Sequence, residues 1–321
     1  MTTALDHHLG VLRCPVSGRT LHRDNGRLVG DDGRHAYDLT AQEIPLFAPA
    51  PRRAESRAQQ DHYDRIAGVY VRNLTEPHTQ EYSAFFDRLL LEMIPPAPLG
   101  LVGEICCGRG EALRLLSGRL DLGAIGVDIS QGMLATATAL VADDRCLFVQ
   151  GDATGLPLAD EIFDNVFVLG GIHHVNDRPR MFAEIHRVLK PGGCFFWREP
   201  LNDFVLWRAL RAVIYRLSPT LDADTERPLR SGETRRQLRD AGLEVVRWEP
   251  CGLLGFCLFM NSDVLVVNRL LRHVPGIRRI TRAFVALDEW MLRLPGLRHA
   301  GLQVVGAARK RDDQVAPGLR R

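Results

Sequence analysis

Apolar positions along the chain follow two different periods. Between Leu99 and Glu249, short apolar runs alternate with stretches in which apolar residues recur every three or four positions. That alternation predicts β-α-β units and hence a parallel sheet. The predicted strands are Leu101–Cys106, Ala124–Val127, Cys146–Gln150, Phe163–Leu169, Cys194–Trp197 and Leu243–Trp248, with Leu302–Ala308 as a last strand. Helices fit between them at 111–118, 130–141, 178–189 and 231–241, with Ser130 and Ser231 as N-caps.

The flanks read differently. Residues 1–50 hold short apolar runs broken by Val16-Ser17-Gly18, Asp24-Asn25-Gly26 and Asp31-Asp32-Gly33, the pattern of a small hairpin-rich unit. A Pro/Ala/Arg-rich linker follows at 51–58. The main α/β domain is expected over 59–249, opening with two amphipathic helices that Pro95-Pro96 stop. Residues 250–300 form an apolar, arginine-rich helical insertion, and 301–310 return to the sheet. Within the insertion, Val264, Val267, Leu271 and Val274 make one apolar stripe, and Ile280, Phe284, Leu287, Met291 and Leu294 make another.

Candidate chemistry gathers at the ends of the predicted strands. The first runs into Glu104-Ile105-Cys106-Cys107-Gly108-Arg109-Gly110 and then opens a helix; glycines at such a turn let a ligand lie against bare backbone. The second ends in Asp128, about twenty residues on, where a carboxylate can accept both hydroxyls of a ribose. Taken alone, this pair suits a dinucleotide equally well. The third strand is followed by Gly151-Asp152-Ala153, and the fourth ends in Leu169-Gly170-Gly171-Ile172-His173-His174. Four strand ends would thus converge on one crevice.

Together these segments resemble motifs I to IV of the class I S-adenosylmethionine-dependent methyltransferases, and "MFAEIHRVLKPGG" at 181–193 resembles that family's helix and turn before its fifth strand. The resemblance implies a Rossmann-like sheet of seven strands, mostly parallel with the last antiparallel, and S-adenosylmethionine as cofactor. It implies that Glu104 faces the methionine amino group and that the backbone from Cys106 through Gly108 to Gly110 passes under the methionine part. It also implies that Asp128 holds the ribose and that Asp152 and Ala153 meet the adenine, with Ile129, Met133 and Leu169 beside the cofactor. Tyr63, in "HYDRIAGVY", resembles a residue on a helix folded over the cofactor. The family usually has glycine where this chain has Cys106. Residues 1–50 resemble a zinc-ribbon-like accessory module of some methyltransferases, but Cys14 faces Ser17 where a second cysteine would stand, which excludes four-thiolate zinc. No metal is expected.

Composition narrows the acceptor. With 41 Lys+Arg against 39 Asp+Glu, the net charge of +2 gives no global field for a polyanion, so nucleic acid is not expected as a partner. An odd count of seven cysteines and no signal-peptide pattern suggest a cytoplasmic protein with free thiols. An oxygen or nitrogen acceptor must lose a proton, and His173 and His174 are the candidate bases. Glu199 and Arg198, in "WREP", read as a surface ion pair. Seven arginines between 269 and 298 accompany only Asp288 and Glu289. That suits a lid over an apolar acceptor, peripheral contact with anionic lipid, or simple packing with solvated arginines. The expected reaction is O-methylation of a small or lipid-like acceptor. Alternatives are C-methylation of a quinone or polyketide ring, RNA methylation, and a cofactor-binding module without catalysis.

Overall fold

The computed structural model describes residues 3–48, 57, 60, 75–96, 98–209, 211, 227–260 and 266–311. Its centre is a seven-stranded sheet. In chain order the strands are β4 (Val102–Ile105), β5 (Ala124–Asp128), β6 (Cys146–Gln150), β7 (Phe163–Leu169), β8 (Leu189–Pro200), β9 (Leu243–Cys251) and β10 (Gln303–Lys310). Their spatial order is β6-β5-β4-β7-β8-β10-β9. Neighbours from β6 to β8 pair in parallel, and β10 runs antiparallel to both β8 and β9. The fold is the Rossmann-like arrangement expected. The order reverses between β4 and β7, and a crevice opens there at the carboxyl ends of the strands.

Strand alternation decides which side chain faces which layer. Phe195 and Trp197 of β8 join one apolar core with Ile105, Val127, Val166 and Val304, while Phe196 joins the opposite core with Val102, Phe148, Phe167 and Val305. Both faces are covered, so β4 and β6 are buried at every residue and read as near-continuous apolar runs.

Residues at the amino end form helix α1 (Ala4–His8) and a three-stranded antiparallel sheet, β1 (Leu21–Asp24), β2 (Arg27–Gly30) and β3 (Ala36–Tyr37). The β1–β2 turn places Asn25 and Gly26 at φ +46° and +76°, the left-handed pair that a tight hairpin needs. This unit is not held by its own contacts alone. Leu5, Leu12, Leu28 and Phe47 enter the same core as Phe182 and Trp197. Its end also extends the sheet: Gln150 N donates to Pro45 O at 2.9 Å and Phe47 N donates to Gln150 O at 3.0 Å, so the edge of β6 is covered.

Helix α2 (Pro77–Leu91) buries His78, Tyr82, Phe85, Phe86 and Leu90. The insertion supplies α7 (Leu254–Phe259), a 3₁₀ segment (Val266–His273) and α8 (Ile277–Met291), and α8 packs on α2 and α7. One buried carboxylate joins all three. Asp288 accepts from Tyr82 Oη at 2.6 Å, Leu253 N at 2.9 Å and Gly255 N at 3.0 Å. Arg278 and Arg282 pair with Glu81, and Arg272 with Glu76. The insertion is therefore a packed layer over this face of the sheet. The side chains of Val264 and Val267, and the helix expected before residue 75, lie outside the described residues.

Candidate active site

Helix α3 (Glu111–Leu115) starts directly after the β4 turn, and α4 (Gln131–Leu140) directly after β5. The intervening loop is unusual. Cys106 stands at φ +53° and Gly108 at φ +51°, so a cysteine occupies the left-handed position where the family has glycine. A Cβ on Gly171, across the crevice, would collide with the Cβ of Cys106, so the second glycine makes room for the side chain of the first loop. Burial, with the nearby charge of Asp128, pushes the thiols of Cys106 and Cys107 well above their ordinary range.

Asp128 closes the other side of this loop. Its Oδ2 accepts from Gly108 N at 2.8 Å and its Oδ1 from Ser130 N at 2.9 Å. Ser130 caps α4 by accepting from Met133 N, as expected. Helix α5 (Arg178–Val188) leads into β8; Ser231 does not cap the next helix, α6 (Ser231–Asp240), and its own N–H donates to Asp203 instead. At the end of β6, Asp152 Oδ1 accepts from Thr154 N at 2.8 Å and Thr154 Oγ1 at 2.7 Å.

The fourth wall is built around Glu199. The carboxylate is wholly buried, not a surface ion-pair member as the sequence suggested. Oε1 accepts from Gly171 N at 2.7 Å and Ile172 N at 2.8 Å, and Oε2 meets His173 Nδ1 at 2.7 Å. Burial pushes its pKa up to about 7, opposed by these backbone donors and by the electrostatic pull of His174. His173 is thereby turned back into the protein. His174 packs on it, ring centroids 3.8 Å apart, and reaches the crevice. Arg198 points elsewhere, to Asp87 at 2.9 Å and Glu111 at 2.6 Å. Burial raises Glu111, but Arg198 and Arg109 outweigh it and hold that carboxylate below its usual range.

The cleft brings together Cys106, Gly108, Asp128, Ile129, Met133, Asp152, Ala153, Leu169 and His174 from the expected set. Glu104 and Gly110 are not on its wall. Glu104 turns under α3, where it accepts from Ala112 N at 2.8 Å and Leu113 N at 3.1 Å, satisfying two free donors at a helix start. Gly110 N donates to Cys107 O, closing the turn. Tyr63 lies outside the described residues. Sequence reasoning missed Arg109, Glu111, Thr154, Asn176 and Asp177, all on the cleft. The first two belong to the turn segment and were readable there; the last three follow strands by loops whose path only packing fixes.

Comparisons with known proteins agree with this geometry. Residues 103–197 match the family described as "Methyltransferase domain". These residues form a class I S-adenosylmethionine-dependent methyltransferase domain. The chain is 34% identical over 156 residues to 27-O-demethylrifamycin SV methyltransferase of Amycolatopsis mediterranei, covering 44% of this chain and 53% of that protein. It is 37% identical over 107 residues to demethylmenaquinone methyltransferase of Symbiobacterium thermophilum, covering 32% and 43%. The matches thus span about half the length of these relatives. A solved structure of Haemonchus contortus phosphoethanolamine N-methyltransferase 2 in complex with S-adenosyl-L-methionine shares the fold, with a TM-score of 0.53 and 18% identity, covering 83% of this chain and 62% of that one. Among the described residues, no helix is long and apolar enough to cross a membrane, and no group of three His, Cys, Asp or Glu could hold a metal ion.

Proposed function

We propose that the protein methylates a hydroxyl on a small or lipid-like acceptor, using S-adenosylmethionine held in the cleft. The observation that carries this reading is the pairing of a nucleoside-shaped site with a histidine on the facing wall. Asp128 offers two carboxylate oxygens suited to a ribose diol, and Asp152, Ala153, Ile129, Met133 and Leu169 offer one polar edge and apolar faces suited to adenine. Gly108 leaves open space where a Cβ would stand, so the loop backbone can lie against a ligand. When bound, the cofactor supplies an electrophilic methyl on a sulfonium. The protein's own part is to exclude water, orient the acceptor and take its proton. His174 is the proposed base, and the Glu199–His173 contact fixes the tip that carries it.

Calorimetric titration with S-adenosylmethionine and S-adenosylhomocysteine tests the cofactor site. Asp128→Asn removes the charge and leaves one acceptor for the N–H groups of Gly108 and Ser130; circular dichroism checks that the loop stays folded, and the loss of about 1.5–3 kcal/mol of charge-assisted hydrogen bonding is roughly 10- to 150-fold in Kd. Unchanged affinity in that variant overturns the assignment of Asp128.

C-methylation of a quinone ring is the second reading, favoured by the similarity to a demethylmenaquinone methyltransferase. An electron-rich ring carbon needs no strong base. His174→Ala separates the two: a fall in turnover of 10²–10⁴-fold supports a hydroxyl acceptor, whereas turnover within threefold of wild type supports the ring carbon.

A further inference from the structure

A second surface, apart from the cleft, is built for contact. Trp207, Leu253, Ala300 and Leu302 form a small separate core, joined by Phe204, Phe256, Cys257, Met291, Leu292 and Leu297. It draws together the helical turn at 205–209, α7 and the end of α8. Around it, large apolar side chains stand in solvent. Leu206 is 71% exposed, Val205 67% and Trp290 57%, and Leu254 and Leu258, one turn apart on α7, are also exposed. Scattered single apolar residues need no explanation, but five on three elements that share one core do.

The charges beside them have one sign. Segments 204–209, 254–259 and 290–298 contain Arg208, Arg293 and Arg298 and no carboxylate. All three arginines are exposed, and they form no ion pair among the described residues. The nearest acids are engaged elsewhere: Glu289 with Arg88 at 3.5 Å, and Asp203 with Ser231. A second copy of the chain is a poor occupant. A two-fold contact sets each patch against itself and would bring six guanidinium groups together without a counter-charge. An anionic, partly apolar surface answers both features. Arginines meet headgroups, apolar tips enter the acyl boundary, and a tryptophan sits at the level between.

We infer that this face is a peripheral docking surface for anionic lipid bilayers. This docking would not depend on which acceptor the cleft takes, and it would bring the enzyme to an acceptor dissolved in lipid without a membrane-spanning segment.

Co-sedimentation of the full chain with phosphatidylcholine vesicles, with and without phosphatidylglycerol, tests this. Binding is expected only to the anionic vesicles and should weaken as salt rises. Each basic residue near such a surface contributes about fivefold, so R208Q/R293Q/R298Q should lower partitioning on the order of 100-fold. L206E/L258E should lower it at least tenfold. Circular dichroism and S-adenosylmethionine titration of both variants should match wild type, which separates loss of docking from loss of fold or cofactor site. Equal binding to both vesicle types, no binding to either, or unchanged binding in the arginine variant overturns the inference. So does a concentration-dependent dimer in sedimentation velocity that L206E/L258E abolishes, because the patch would then meet a second copy.

Discussion

Glu104 offers a sharp test, because the family resemblance and the structure assign it different work. Toward the cofactor it would be a ligand; in the structure it caps α3 with both oxygens. Burial, opposed by those two N–H donors, pushes its pKa up to about 8, against an ordinary value of 4.5. The folded protein therefore keeps a proton that the unfolded chain loses above pH 4.5. The stability this represents is full below that pH and is lost as pH rises through about 8, in total at most about 5 kcal/mol. About 2 kcal/mol of it falls between pH 6 and pH 8. Glu104→Gln cannot ionise and keeps one acceptor, so one N–H of α3 loses its partner at a cost of about 1–3 kcal/mol. Urea unfolding of both proteins at the two pH values isolates the effect, because Glu199, which titrates in the same direction, is present in both. The variant should be the less stable at pH 6, and the gap should narrow by about 2 kcal/mol at pH 8. Its affinity for S-adenosylmethionine should stay within threefold of wild type. A gap that does not change with pH refutes the buried-proton argument, and a loss of affinity beyond tenfold returns Glu104 to the cofactor.

Asp288→Ala strands the Tyr82 hydroxyl and the N–H groups of Leu253 and Gly255 in a dry layer, and should cost about 3–5 kcal/mol in denaturant unfolding; a cost under 1 kcal/mol would mean that water replaces the carboxylate. Gly171→Ala should destabilise by about 1–3 kcal/mol through collision with Cys106. The same change made on Cys106→Gly should cost clearly less, and additive effects in that double-mutant cycle would show that the two residues do not press on each other. Cys106→Gly alone exchanges relief of a left-handed cysteine for lost burial, and its stability should lie within about 1 kcal/mol of wild type.

The pattern of apolar residues determined the architecture. Runs such as Cys146–Val149 and Val166–Val168 are buried at every residue, and a strand covered on two faces reads as a near-continuous apolar run, so its identity is carried locally. The strand-end acids and glycines were legible for a similar reason: each sits at a fixed offset from a strand whose end the sequence marks. What those side chains touch was not legible. Glu104 and Asp128 both lie near the ends of central strands, yet one turns under a helix and the other reaches the cleft, because α3 starts above the first and the loop at Gly108 folds across the second. His173 and His174 are adjacent in sequence and opposite in role, a difference set by Glu199, twenty-six residues away from the first. Asp288 likewise gains its partners from α2 and the start of α7. A buried carboxylate collects whatever donors the fold brings within 3 Å, and those donors are decided by packing across the chain rather than by neighbours along it.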